Sequence, residues 1–142
     1  MHSYSIQLRV SGIDVDPESV TNFLELPPSL SRLKGEKRGQ NSVWTESLWS
    51  YGGKYCEVTR EWKSLEEGLL ELMEELWPKR DLICSLAKKS DVIWWCGHFQ
   101  SSFDGGPTFS IVLMRRLAEF GVPLYLDNYF RSEEKDLGGD IN

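Results

Sequence analysis

The stretch Val92-Ile-Trp-Trp-Cys-Gly-His-Phe99 is apolar at nearly every position, interrupted only by Gly97 and His98. Side chains alternate across a strand, so a run that is apolar on both sides belongs inside a sheet. Working outward from it, Phe109, Val112, Leu113, Leu117 and Phe120 recur at helical spacing after Asp104-Gly-Gly-Pro107, which is expected to start the helix. Gly121 stands where a left-handed C-cap is wanted. Val122 to Phe130 then reads as the last strand, with Pro123 at its start, where no ladder hydrogen bond is lost. A strand, a helix and a second strand in this order predict a right-handed parallel crossover.

Toward the N-terminus, Tyr4, Ile6, Leu8 and Val10 alternate with Ser5, Gln7, Arg9 and Ser11, the signature of a strand with one wet face. Asp16-Pro17 offers an N-cap and a first-turn proline to a short helix carrying Val20, Phe23 and Leu24, which Pro27-Pro28 stops. Residues 29–41 read as a polar loop with Arg32, Lys34, Lys37 and Arg38. Ser42 to Tyr51 and Lys54 to Arg60 flank Gly52-Gly53 as the arms of a hairpin. Ser64-Leu-Glu-Glu67 fits a capping box ahead of Leu65, Leu69, Leu72 and Leu76. Pro78 breaks that helix, and a second one runs from Lys79 to Lys89. The expected fold class is α+β: a two-layer sandwich, a mixed sheet with helices mainly on one face, ferredoxin-like with an extra hairpin and helix. One domain spans residues 1–130, and the polar stretch 131–142 is expected to be a disordered tail.

The 142 residues include 22 acidic and 16 basic side chains, a net charge of −6. A chain built to follow phosphate backbones needs a basic surplus, so nucleic acid is not an expected partner. The longest apolar run falls far short of a membrane span, and the N-terminus enters a strand without a signal-peptide pattern. Cys56, Cys84 and Cys96 are odd in number and widely spaced, which predicts reduced thiols in a cytoplasmic protein.

Several phrases taken together resemble a bacterial family, the domain of unknown function 4279. They are the opening strand followed by SGIDVDPESVTNFLELPPS, then KGE, the tryptophan strand SLW, SLEEGLLELMEELWP, and the closing FSIVLMRRLAEFGVPLYLDNYF. The resemblance covers about residues 4 to 130. It implies a small stand-alone bacterial domain. Some relatives have been suggested to act as immunity proteins beside toxins. The resemblance brings no catalytic residues with it.

Cys96 and His98 share a strand face, but two soft ligands fall short of a metal site, and a buried histidine bonded to its neighbours is the preferred reading. Asp127 would reach His98 if their strands are neighbours. No serine sits in a GxSxG setting and no nucleophile has an activator, so no enzyme, cofactor or metal is expected. The loop Lys34-Gly-Glu-Lys-Arg-Gly39 lacks the Gly-Lys-Ser/Thr step of a phosphate loop. The helix from Ser64 to Trp77 carries Glu66, Glu67, Glu71, Glu74 and Glu75 with no basic residue among them. Like charges four apart cost about 0.2–0.5 kcal/mol per pair. Such a face is either merely solvated or steers a basic partner.

Two functional expectations follow. The first is a non-enzymatic acidic protein-interaction domain of the immunity or antitoxin type. It would meet a basic, toxin-like protein through Glu67, Glu71, Glu74 and Glu75 with Trp44 and Trp49. The alternative is a small-ligand-binding sensor module, its pocket between the sheet and the basic loop, using Lys34, Lys37, Arg38, His98 and Asp127. Neither expectation involves nucleic acid or a membrane.

Overall fold

Alternating strands and amphipathic helices assemble here because each has one apolar side to hide. The computed structural model describes residues 2–54 and 64–130. Five strands, β1 (His2–Gly12), β2 (Leu30–Arg32), β3 (Ser47–Tyr51), β4 (Asp91–Gln100) and β5 (Leu124–Phe130), form one sheet in the order β2-β3-β1-β4-β5. Only β4 and β5 run parallel, joined through helix α4 (Ile111–Phe120); the remaining pairs are antiparallel. The protein is therefore α+β, and its helices supply one face of the sheet. The ferredoxin-like expectation holds at the level of a two-layer sandwich with a mixed sheet.

Every second residue of β1, namely Tyr4, Ile6, Leu8 and Val10, is buried, and so are Trp49 and Tyr51 of β3 and Val92, Trp94 and Cys96 of β4. The register explains it: Leu8 faces Tyr51 and Trp94, and Val10 faces Trp49 and Val92, so these side chains share one face. Onto that face pack α1 (Pro17–Leu24), α2 (Leu65–Leu76), α3 (Arg80–Ala87) and α4, through Leu24, Leu69, Met73, Ile83, Leu113 and Phe120. Phe120 meets the Trp94 ring edge-on at 5.3 Å.

The helix ends follow their chemistry. Asp16 caps α1 and Pro17 opens it, as the sequence predicts, while Glu25 takes the left-handed C-cap. Ser64 caps α2 by accepting from the Glu67 amide. Pro78 sits in a 3-10 turn, Trp77–Lys79, that links α2 to α3.

Two expectations need correction. The polar loop after Pro28 contains an edge strand, β2, because Leu30 to Arg32 can pair with β3. β3 is hydrogen-bonded to β1 on one edge and β2 on the other. The proposed arm beyond Lys54 lies outside the described residues, as do Cys56 and the tail expectation for 131–142. The last helix starts at Ile111 and not at Asp104. Gly105 adopts a left-handed φ of 82°, and Ser110 is the better cap, accepting from the Leu113 amide at 3.1 Å. The inward stripe is then Leu113, Leu117 and Phe120, which leaves Val112 exposed.

Candidate binding site on the helix-free sheet face

The same alternation that buries one sheet face sends Gln7 and Arg9 of β1, Trp95, Gly97 and Phe99 of β4, and Tyr125, Asp127 and Tyr129 of β5 to the other. No described helix covers these residues. Trp94 and Trp95 necessarily part company: Trp94 enters the core, and Trp95 lies half-buried with the Arg9 guanidinium 3.9 Å above its ring. Gln7 Oε1 accepts from Arg9 Nε at 2.9 Å and holds that arginine in place. On the far side, Asp127 Oδ2 accepts from Trp95 Nε1 at 3.3 Å and from the Tyr129 hydroxyl at 2.7 Å. The hydrogen bond to Asp127 raises the Tyr129 phenol above its ordinary range, with burial adding to it. Tyr129 stacks on Phe99 at 4.9 Å.

A second cation–aromatic group stands two strands away. Arg32 lies 3.6 Å and Arg38 4.6 Å from the Trp44 ring centre, so one indole contacts two guanidiniums. Backbone bonds within the loop hold Trp44 there: its amide donates to Glu36 and its carbonyl accepts from Gly35, both at 2.8 Å. Between the two groups sits Ser50, opposite Arg9 on one side and Leu30 on the other. Its hydroxyl is completely buried and has no hydrogen-bond partner among the described residues, and the same is true of the buried Arg32 Nε. Burial is the main cause that lowers the pKa of both Arg9 and Arg32. Repulsion comes second, from Arg32 on Arg9 and from Arg38 on Arg32.

The sequence-derived candidates are dispersed. Arg38 and Asp127 fall beside this face. Lys34 and Lys37 are exposed in the loop, where the Lys34 amide donates to Ser47 Oγ at 2.9 Å. His98 lies on the opposite face, 2% exposed. The parallel register sets it against Asn128 and sets Asp127 against Gly97, so the anticipated His98–Asp127 pair does not form. Instead His98 Nδ1 bonds Asn128 Oδ1 at 3.0 Å and Nε2 bonds His2 Nδ1 at 2.8 Å, with the ring stacked on Tyr4. It is a buried, bonded histidine, as expected.

Among the glutamates, Glu67, Glu71 and Glu74 are exposed on α2. Glu75 accepts from the Tyr51 hydroxyl and from the Lys54 amide, and Glu66 accepts from the Ser110 amide at 2.7 Å, so both have work inside the fold. Trp49 corrects the partner-surface expectation: it has no exposure, and its Nε1 donates to Thr21 Oγ1 at 3.0 Å on the helix side. Trp44 is half-buried and in contact with two arginines.

Alternation alone sets Trp95 on the face opposite Trp94, but Arg9, Gln7 and Ser50 escaped the sequence reading. The one signal for them was an arginine and a glutamine at the wet positions of a strand that turns out to run through the middle of the sheet. Among the described residues no cluster of three His, Cys, Asp or Glu side chains is placed to hold a metal, and no helix is long and apolar enough to cross a membrane. A cleft of about 320 Å³ near α1 and α3, lined by Asp14, Asp16, Phe23 and Leu86, lies apart from these residues.

Neither the curated proteins nor the solved structures contain a match to this chain. A family model does match it, over residues 2–131. By that match, which takes in every strand and helix described above, the chain belongs to the family Domain of unknown function (DUF4279).

Proposed function

We propose that this domain is a non-enzymatic small-ligand-binding module, whose site is the sheet face opposite the described helices, beside the basic loop. The observation that supports it is the pair of arginine–tryptophan stacks, Arg9 on Trp95 and Arg32 with Arg38 on Trp44, flanking the buried and unpartnered Ser50 hydroxyl. Flat aromatic surfaces and fixed polar donors are what a ligand site needs, and both stand on sheet strands or a self-bonded loop. A binding role also fits His98, whose ring nitrogens are already occupied inside the core. The unpaired thiols of Cys84 and Cys96 fit a reducing, cytoplasmic setting. A metabolite panel read by thermal shift and tryptophan fluorescence tests the proposal. Ligands are expected to quench the wild type and to lose that signal in Trp95→Phe. A panel without any hit, or hits indifferent to Trp95 and Trp44, would count against it.

A second reading is a protein-interaction domain of the immunity type that meets a basic partner through α2. The exposed placement of Glu67, Glu71 and Glu74 on one helix favours it. Reversing those three charges to lysine should slow association with such a partner and flatten its salt dependence. Association indifferent to both would remove this reading.

A further inference from the structure

We infer that Arg9, Arg32 and Ser50 together form a receptor for an oxyanion group, a phosphate or a carboxylate, of a small ligand. The inference rests on the proposed ligand-binding face and names the chemistry that it recognises.

The sheet itself brings the three residues together. Arg9 and Ser50 are register partners across β1 and β3. Leu30 is the partner of Ser50 across β3 and β2, and Arg32, two residues further, points to the same face. Two strand spacings, roughly 10 Å, separate the backbones of β1 and β2, near enough that Arg9 feels the charge of Arg32.

Their donors are left over in a particular way. The Trp95 and Trp44 rings cover one face of each guanidinium, so the remaining hydrogen-bonding directions lie along the guanidinium edges. Gln7 takes Arg9 Nε, which leaves the terminal nitrogens of Arg9. Arg32 Nε has no partner although it is buried, and neither has Ser50 Oγ. An unmade hydrogen bond at a buried donor is costly, and two such groups on one face call for a common acceptor. Like charges repel here too, since each arginine lowers the affinity of the next for its proton. Asp127, the carboxylate whose field Arg9 feels, is engaged by Trp95 and Tyr129. An anion with two or more oxygens would accept from the Arg32 edge, the Ser50 hydroxyl and the Arg9 terminal nitrogens at once, and would cancel the repulsion. The protein as a whole is acidic, so a locally basic cluster would select one small anionic group over a long polyanion.

Thermal shift and tryptophan fluorescence on the full chain, titrated with sodium phosphate, sodium malonate and sodium chloride at matched ionic strength, test the assignment. Phosphate or malonate is expected to raise the melting temperature in a saturable way that chloride does not reproduce; the stronger of the two identifies the group. Arg9→Gln should weaken that binding by about tenfold or more, the loss of a charge-assisted hydrogen bond. Arg32→Lys keeps the charge and removes the Nε edge, so it should also weaken binding several-fold. Ser50→Ala should lower affinity with the fold intact. Equal responses to all three salts, or variants that respond as the wild type does, would overturn the assignment. A neutral ligand that binds the face through Trp95 and ignores Arg9→Gln and Arg32→Lys would sink the oxyanion receptor and leave the ligand-binding proposal standing. Silence from compounds of every charge would end both.

Discussion

Replacing Gly97 by alanine should destabilise this protein, against the usual direction. In a strand interior, alanine normally gains about 0.5–1 kcal/mol over glycine. Gly97 has no positive φ to excuse it, so conformational freedom is not why it is there. Its neighbours are the reason. A Cβ at this position would stand 2.7 Å from Trp95 Cη2 and 3.2 Å from Phe99 Cε2, both side chains two residues away on the same strand face. Trp95 lies across the gap that the missing side chain leaves, pinned by Asp127 at its nitrogen and by Arg9 above. Displacing it costs an overpacking penalty of about 1–3 kcal/mol, which outweighs the alanine gain and leaves a net loss of up to about 2.5 kcal/mol. For a domain of this size each kcal/mol lowers the melting temperature by about 3–4 °C. Urea unfolding of the wild type, Gly97→Ala, Trp95→Ala and the double variant measures the coupling. In the Trp95→Ala background the obstruction is gone, and Gly97→Ala should become neutral or stabilising. If Gly97→Ala stabilises the wild type, or costs the same in both backgrounds, the proposed seat for the indole is wrong.

Burial pushes the Cys96 thiol up to about 12 from an ordinary 9.0. Its contribution is complete below pH 9 and should be lost as pH rises toward 12, at up to about 1.4 kcal/mol per pH unit, because only the unfolded chain releases the proton. Urea midpoints at pH 9 to 11 should fall more steeply for the wild type than for Cys96→Val; parallel slopes would refute this. Asp127→Asn should bring the Tyr129 phenol back toward its ordinary range in a tyrosinate absorbance titration, because the carboxylate acceptor is the leading cause of the upward shift. Lys79 Nζ donates to the Leu24 and Glu25 carbonyls at 2.7 and 3.3 Å, at the C-terminal end of α1. Lys79→Met should therefore cost about 1 kcal/mol in chemical denaturation. An unchanged midpoint would mean that water serves those carbonyls equally well.

Local chemistry was enough to read most elements from the sequence. Strict alternation from Tyr4 to Val10 has the period of a strand, and the two-sided apolar run from Val92 to Phe99 is short and rich in β-branched and aromatic residues, as a buried strand is. The leucines of α2 and the Asp16-Pro17 and Ser64 caps are equally local signals. The acidic sequence also drew attention to α2, but hydrogen-bond partners far along the chain decided what its glutamates do: Glu75 holds Tyr51, and Glu66 holds Ser110. Nothing near those glutamates in sequence announces either contact.

Strand neighbours and register were beyond local reading. Pairing Leu30 to Arg32 with β3 converted a polar loop into a sheet edge. A shift of one residue between β4 and β5 decides whether His98 meets Asp127 or Asn128, and with it which face Asp127 occupies. The candidate site depends on the same kind of fact. Arg9, Ser50 and Arg32 are separated by 41 and 18 positions along the chain, and become neighbours only because β1, β3 and β2 are adjacent in that order. Which residues can bury a face and which must stay wet is legible in the sequence, since it depends on periodicity and side-chain chemistry within a few residues. Tertiary structure alone decided which wet residues stand together, since long-range hydrogen-bond pairing sets it and no single strand encodes its partner.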